Sequence, residues 1–275
     1  MAYKRILTIQ DISCVGQCST TVAMPILSAC GHETCILPTA ILSTHTGGFS
    51  KPEVTNLASA GDRMWRHWQR EGIRFDAILT GYLGSIEAVK TASDIAENLL
   101  EDGGLLIVDP AMADHGKLYS GFDGAYVAAM ETLCRKAHIL LPNLTEAAML
   151  SGHDWKSKCD KDYVNNVIRA LPNTRVVLTG IGYAPDETGV LVKDGSRLSH
   201  YGHKRVGKSY HGTGDMFAAA FTGALLQGKN MMKAVEIAAD FTCKSIENTW
   251  NNPAHWYGVK FETALPDLVR MLQSD

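Results

Sequence analysis

The chain has no basic cluster: 26 Lys and Arg stand against 29 Asp and Glu, for a formal charge of −3 at pH 7. That balance argues against a nucleic-acid surface. No apolar run approaches the length of a membrane span, and Met1-Ala2-Tyr3-Lys4-Arg5 leads into a short strand-like stretch rather than a signal peptide. A cytoplasmic location without membrane contact is the expectation. The seven cysteines (14, 18, 30, 35, 134, 159 and 243) are odd in number and include no Cys-x-x-Cys pair. Neither a disulfide frame nor a zinc site is expected from them. A dehydrogenase would carry G-x-G-x-x-G after its first strand, and Asp11-Ile12-Ser13-Cys14-Val15-Gly16 lacks it. Linkers, repeats and low-complexity segments are missing too, so 1–275 is expected to form a single domain.

What is present reads as an ordinary globular composition, 45% apolar and 20% charged. Short apolar runs at 4–10, 33–37, 76–81, 104–108, 138–141 and 175–178 read as strands. They alternate with helical stretches at 19–30, 52–70, 86–100, 121–135, 143–150 and 160–171. A hairpin is expected at 189–193 and 197–201 around Asp194-Gly195, and helices at 215–227, 231–248 and 261–273 close the chain. Strands alternating with amphipathic helices give a mostly parallel sheet covered on both faces. In such sheets ligands bind beyond the carboxyl ends of the strands. Asp11, Thr46, Tyr82, Asp109, Asn143 and Thr179 follow strands and are the polar residues to watch.

The most informative stretch is His211-Gly212-Thr213-Gly214-Asp215, which runs into the small, apolar helix that begins with Met216. First-turn amides of a helix have no intrahelical partner, and the macrodipole adds positive charge there. Two glycines remove the side chains that would keep an anion away. Asp215 at the same turn suits a base that takes a proton from a hydroxyl, while the amides stabilise charge on an incoming phosphoryl group. The same residues also fit a plain glycine-rich helix start with an ordinary first-turn acid.

Gly202-His203-Lys204-Arg205-Val206-Gly207-Lys208-Ser209 matches the Walker A pattern, yet a P-loop needs its helix to begin at the Lys. Tyr210 and the glycine turn intervene, so this stretch is expected to be a decoy. Asp109-Pro110 closes one strand, with Asp114 in the same loop, and Pro142-Asn143-Leu144-Thr145-Glu146 closes the next. Together Asp109 and Glu146 place two carboxylates at neighbouring strand ends, a water-rich Mg²⁺ site suited to nucleotide phosphates. A capping arrangement, Asn143 as cap and Glu146 in the first turn, explains the second pair equally well.

Thr80-Gly81-Tyr82-Leu83-Gly84-Ser85, Val108-Asp109-Pro110-Ala111-Met112-Ala113-Asp114, Pro142-Asn143-Leu144-Thr145-Glu146 and the His211–Asp215 turn resemble the ribokinase-like superfamily in order and spacing. With Ile9-Gln10-Asp11 and Ser43-Thr44-His45-Thr46-Gly47 they are most similar to its pyridoxal/pyridoxamine kinase branch, over nearly the whole chain. The resemblance implies a three-layer α/β/α fold and a kinase using ATP and Mg²⁺, with a monovalent cation such as K⁺ and a homodimeric state. Its product would be the 5′-phosphate of a vitamin B6 vitamer. By matching position, Asp215 is the base, and Gly212, Thr213 and Gly214 form the anion hole. Asp109 and Glu146 organise Mg²⁺. Asn143, Thr179 and Asp114 serve ATP, and Asp11, Thr46 and Tyr82 border the substrate ring. The branch commonly has Ser where this chain has Asp11. The nearest rival is hydroxymethylpyrimidine kinase, whose members often carry Cys at the place of Asp215.

Overall fold

The computed structural model describes residues 2–157, 160–184, 186–207 and 210–274. In chain order they form β1 (Arg5–Ser13), α1 (Thr20–Ala29), β2 (Glu33–Leu42), β3 (Val54–Asn56), α2 (Ala58–Arg70), β4 (Phe75–Thr80) and α3 (Ile86–Leu99). Next come β5 (Leu100–Val108), the short pair β6 (Ala113–Asp114) and β7 (Lys117–Leu118), α4 (Gly124–Lys136), β8 (Ile139–Leu140), α5 (Leu144–Ser151) and α6 (Lys161–Ala170). The chain closes with β9 (Arg175–Thr179), β10 (Glu187–Asp194), β11 (Arg197–Lys204), α7 (Thr213–Leu226), α8 (Met231–Thr249) and α9 (Leu265–Gln273).

Side chains alternate across a strand, so each apolar run feeds two cores at once. Ile6, Ala77, Ile107 and Val177 face α1, α7, α8 and α9, while Leu7, Ile78, Leu106 and Val176 face α2 to α6. Every one of these eight is at most 1% exposed. Full burial of each larger aliphatic side chain contributes roughly 1.5–3 kcal/mol, which is why continuous apolar runs commit to the sheet centre. The strand order is β11-β10-β9-β8-β5-β4-β1-β2-β3. The inner pairs from β9 to β2 are parallel, and β3, β10 and β11 join antiparallel at the two edges. This is the three-layer, mostly parallel, ribokinase-like α/β fold expected from the motifs. β1 has β2 on one side and β4 on the other, so successive connections leave it in opposite directions and open a crevice at its carboxyl end.

Several expected boundaries move, each for a local reason. The helix expected over 52–70 begins only at Ala58, because Val54-Thr55-Asn56 pairs with 40–42 as an edge strand and the Asn56 side chain accepts the Ala58 N–H at 2.8 Å. The helix expected over 261–273 is split into a 3₁₀ turn, Phe261–Ala264, and α9, whose Pro266 fits a first turn. β1 runs through Asp11 to Ser13, so Asp11 lies within the strand rather than after it. Its register with β2 slips between Gln10 and Ile12, beside Pro38, which has no N–H to give. The β6–β7 hairpin turns on His115 (φ 50°) and Gly116 (φ 77°) and has no counterpart in the sequence reading. Of the Walker-like stretch, Gly202 to Lys204 ends β11 and the next helix starts at Thr213, too late for a P-loop; Lys208 and Ser209 lie outside the described residues. Among the described residues the cysteines are free thiols, and no helix is long and apolar enough to cross a membrane.

Candidate active site

α7 opens on Gly212, whose φ of 78° belongs to the left-handed region and whose place leaves no room for a side chain: a Cβ there would collide with the Gln17 carbonyl. No side chain caps this helix. The first-turn amides of Thr213, Gly214 and Asp215 are therefore left without intrahelical partners, and a Cβ on Gly214 would meet only open space. The Thr213 hydroxyl is spent on the Tyr210 carbonyl at 3.1 Å, so it does not close the turn.

Asp215 sits in that turn with one carboxylate oxygen accepting the Ser19 N–H at 2.8 Å. Burial raises its pKa to about 6; the Ser19 bond opposes the rise and the Asp11 charge adds to it. Asp11 itself is 3% exposed and accepts the Ser13 hydroxyl at 2.9 Å. Desolvation pushes it up, and the hydroxyls of Ser19 and Ser13 hold it down. Its N–H donates to the Tyr82 carbonyl at 3.3 Å, joining the ends of β1 and β4. The Tyr82 ring stacks on Phe122 at 5.4 Å, and Phe122 on Tyr126 at 3.7 Å.

Asp109 follows β5, and its N–H is tied to the Thr80 carbonyl at 3.3 Å. Burial raises its pKa well above the ordinary value, and the charges of Glu146 and Asp215 reinforce it. Glu146 is 2% exposed. It forms the capping box with Asn143, taking the Asn143 N–H at 2.9 Å while Asn143 Oδ1 takes its own N–H at 3.0 Å. Its other oxygen accepts Met112 N–H at 3.1 Å and Ala113 N–H at 3.4 Å. Burial still lifts its pKa against these three accepted N–H bonds. Asn143 reaches the Ala113 carbonyl through Nδ2 at 2.8 Å and bridges to Thr179 across the sheet end. Asp114 stands exposed on the hairpin, its charge felt by Glu146 and by His211.

Asp11, Asp109, Glu146 and Asp215 thus converge with no ion pair to any of them among the described residues. Such a cluster invites cations. The donors are hard oxygens, and no group of three or more His, Cys, Asp or Glu assembles a complete cage among the described residues. That set suits a hard divalent cation that keeps most of its waters.

Loops distant in sequence finish the site. Buried His45 accepts the Gly47 N–H on Nδ1 at 3.0 Å, so its Nε2–H donates to the Tyr257 carbonyl at 2.6 Å. Its ring lies 5.4 Å from that of His211. Phe49 packs on Trp256 at 4.7 Å and near Tyr257. Thr46 is exposed between His45 and Gly47, both of which lie against His211 just before α7. The sequence reading missed Ser19, Phe49, Trp256 and Tyr257. Aromatic residues inside polar, glycine-bearing loops were the available signal for the last three.

Known proteins similar to this chain are kinases. A hydroxymethylpyrimidine/phosphomethylpyrimidine kinase of Bacillus subtilis is 30% identical over 183 residues, covering 65% of this chain and 66% of that one. A pyridoxine/pyridoxal/pyridoxamine kinase of Bordetella avium is 27% identical over 267 residues, covering 89% and 85%. The crystal structure of pyridoxal kinase from Lactobacillus plantarum superposes with a TM-score of 0.89 at 32% identity, covering 98% of this chain and 97% of that one. The family model for phosphomethylpyrimidine kinase matches residues 27–259. On that match, which takes in most of its length, the chain belongs to the phosphomethylpyrimidine kinase family, with the ribokinase-like fold and the likeness of its pyridoxal kinase branch.

Proposed function

We propose that the protein is a kinase that transfers the γ-phosphoryl group of ATP to the 5′-hydroxymethyl group of a vitamin B6 vitamer. The observation that carries this reading is the open start of α7: uncapped amides, open space at Gly214, and a carboxylate of raised pKa in the same turn. Asp215 accepts the hydroxyl proton as the oxygen attacks phosphorus in line. The amides of the turn formed by Gly212, Thr213 and Gly214 donate to the developing charge without reorganising. A carboxylate with a pKa near the working pH is a better base than an ordinary one, because it combines ionisation with proton affinity. Asp109 would hold Mg²⁺, with Glu146 behind it through water, since both Glu146 oxygens already accept backbone N–H groups. When bound, the ion supplies neutralising charge to the phosphates. Asn143, Thr179 and Asp114 line the ATP side; Asp11, Thr46 and Tyr82 border the ring, with Phe122 extending the aromatic wall. A K⁺-dependent, homodimeric, cytoplasmic enzyme belongs to the same reading.

The relative from Bacillus subtilis keeps a second reading in view, phosphorylation of hydroxymethylpyrimidine, another small aromatic alcohol. Turnover of ATP against pyridoxal, pyridoxamine, pyridoxine and hydroxymethylpyrimidine separates the two. The expected outcome is a higher kcat/KM for at least one B6 vitamer than for the pyrimidine. Turnover of the pyrimidine alone would replace the first reading with the second.

A further inference from the structure

Ser19 is the N-cap of α1, yet it has φ 55° and ψ −133°, a backbone region that non-glycine residues avoid. It is 5% exposed, and its strain is not repaid by capping: its side chain makes no cap hydrogen bond. What the conformation achieves is directional. The Ser19 carbonyl accepts Val22 and Ala23 N–H at 3.0 and 2.9 Å, starting α1, while its N–H points away from the helix to Asp215 Oδ2 at 2.8 Å. An isolated antiparallel bridge to Ile12 holds the residue against the end of β1. Its hydroxyl lies close enough to the Asp11 carboxylate to hold that group's pKa down, and Ser13 donates to the same carboxylate at 2.9 Å.

We infer that Ser19 is a positioning residue for the base: its strained backbone aims one N–H at Asp215, and its buried hydroxyl, beside the Asp11 carboxylate, helps keep the backbone there. This rests on the reading of Asp215 as base. One of the two Asp215 oxygens is thereby fixed on the protein and the other is left to face the substrate hydroxyl. A side chain with two free torsions would otherwise sample orientations in which neither oxygen is in line, and small misplacements of a reacting group are costly in rate. Asp11 then acts on the base through Ser19 as well as bordering the ring.

Two substitutions separate this from a structural role. Ser19→Ala keeps the Cβ strain and removes the hydroxyl; Ser19→Gly removes the hydroxyl and the strain together. Both should lower kcat about tenfold with KM for ATP and for the vitamer unchanged. Ser19→Gly should at the same time raise Tm by about 2–4 °C, because the unfavourable φ no longer opposes folding. Combining Ser19→Ala with Asp11→Ala should lower kcat no further than the more severe single variant, since both cut one chain of contacts. Unchanged kcat in both Ser19 variants overturns the inference, and so does a loss of rate that only tracks a lower Tm. Asp215→Asn, run alongside, separates the two claims. If it retains wild-type kcat, the base itself is misassigned; if it collapses while Ser19 variants do not, only the positioning role fails.

Discussion

Helices α5 and α7 both begin at the ligand-facing edge of the sheet, and they treat their first-turn amides in opposite ways. α5 closes on itself: Asn143 and Glu146 exchange side-chain and backbone bonds, and Glu146 goes on to take the Met112 and Ala113 amides from the segment after β5. α7 has Gly212 where α5 has Asn143, no capping side chain, and an acid whose own oxygen is held by a third loop through Ser19. An unsatisfied helix start is a cost in a merely structural element, and the closed one shows that this chain can satisfy such a start with its own side chains. On the proposed reading, the contrast makes α7 the end that takes the anion and α5 the brace beside it.

The largest test of that contrast is Asp215→Asn. It keeps shape and the Ser19 bond but cannot take a proton, so kcat should fall by about 10²–10⁴ while the fold persists. In the wild type the acid limb of kcat/KM should lie near pH 6, where Asp215 titrates. The sign of the stability effect follows from the same shift. A carboxylate whose folded pKa is raised binds its proton more tightly in the folded state, so its ionised form opposes folding fully above about pH 6 and not at all below the ordinary carboxylate value. Asp215→Asn should thus raise Tm at pH 8 and leave it little changed at pH 4, measured by thermal melts at both. An inactive variant that is also less stable at pH 8 would make Asp215 a structural acid.

Filling the open start comes next. Gly214→Ala meets no atom and suits a helix better than glycine by about 1 kcal/mol, so Tm should hold or rise. The methyl group stands where a phosphate would approach, and kcat/KM for ATP should drop about tenfold, in keeping with loss of one oxyanion donor or less. Wild-type kinetics here would mean that the anion binds elsewhere and that the two helix starts do not differ in purpose.

The smallest effect is expected at the closed start. Glu146→Gln keeps acceptance of one set of amides and weakens the capping box, costing about 1 kcal/mol in denaturant unfolding. If Glu146 also supports Mg²⁺ beside Asp109, the Mg²⁺ concentration for half-maximal rate should rise as well. A stability loss with an unchanged Mg²⁺ requirement would leave Glu146 as a cap alone.

The alternation of apolar runs with amphipathic segments determined the layered sheet, because burial on both faces selects runs such as Gly104 to Val108 whatever the loops do. The glycine turn before Met216 likewise announced an uncapped helix start, since glycine supplies no capping oxygen and tolerates φ near 78°. Edge strand β3 was not legible, because three exposed residues carry no burial pattern and are strand only by pairing with β2. Nor did the sequence alone show which of its two readings Glu146 would realise: the capping box is local, but the bonds from Met112 and Ala113 depend on a loop more than thirty residues away. The same holds for the site's outer parts. Ser19 meets Asp215 across 196 residues, and His45 meets Tyr257 across 212. Sequence periodicity and turn chemistry act over a few residues and so determined the elements; the left-handed Ser19, the shared desolvation of four carboxylates and the aromatic wall arise only when loops from five strand ends are packed into one crevice.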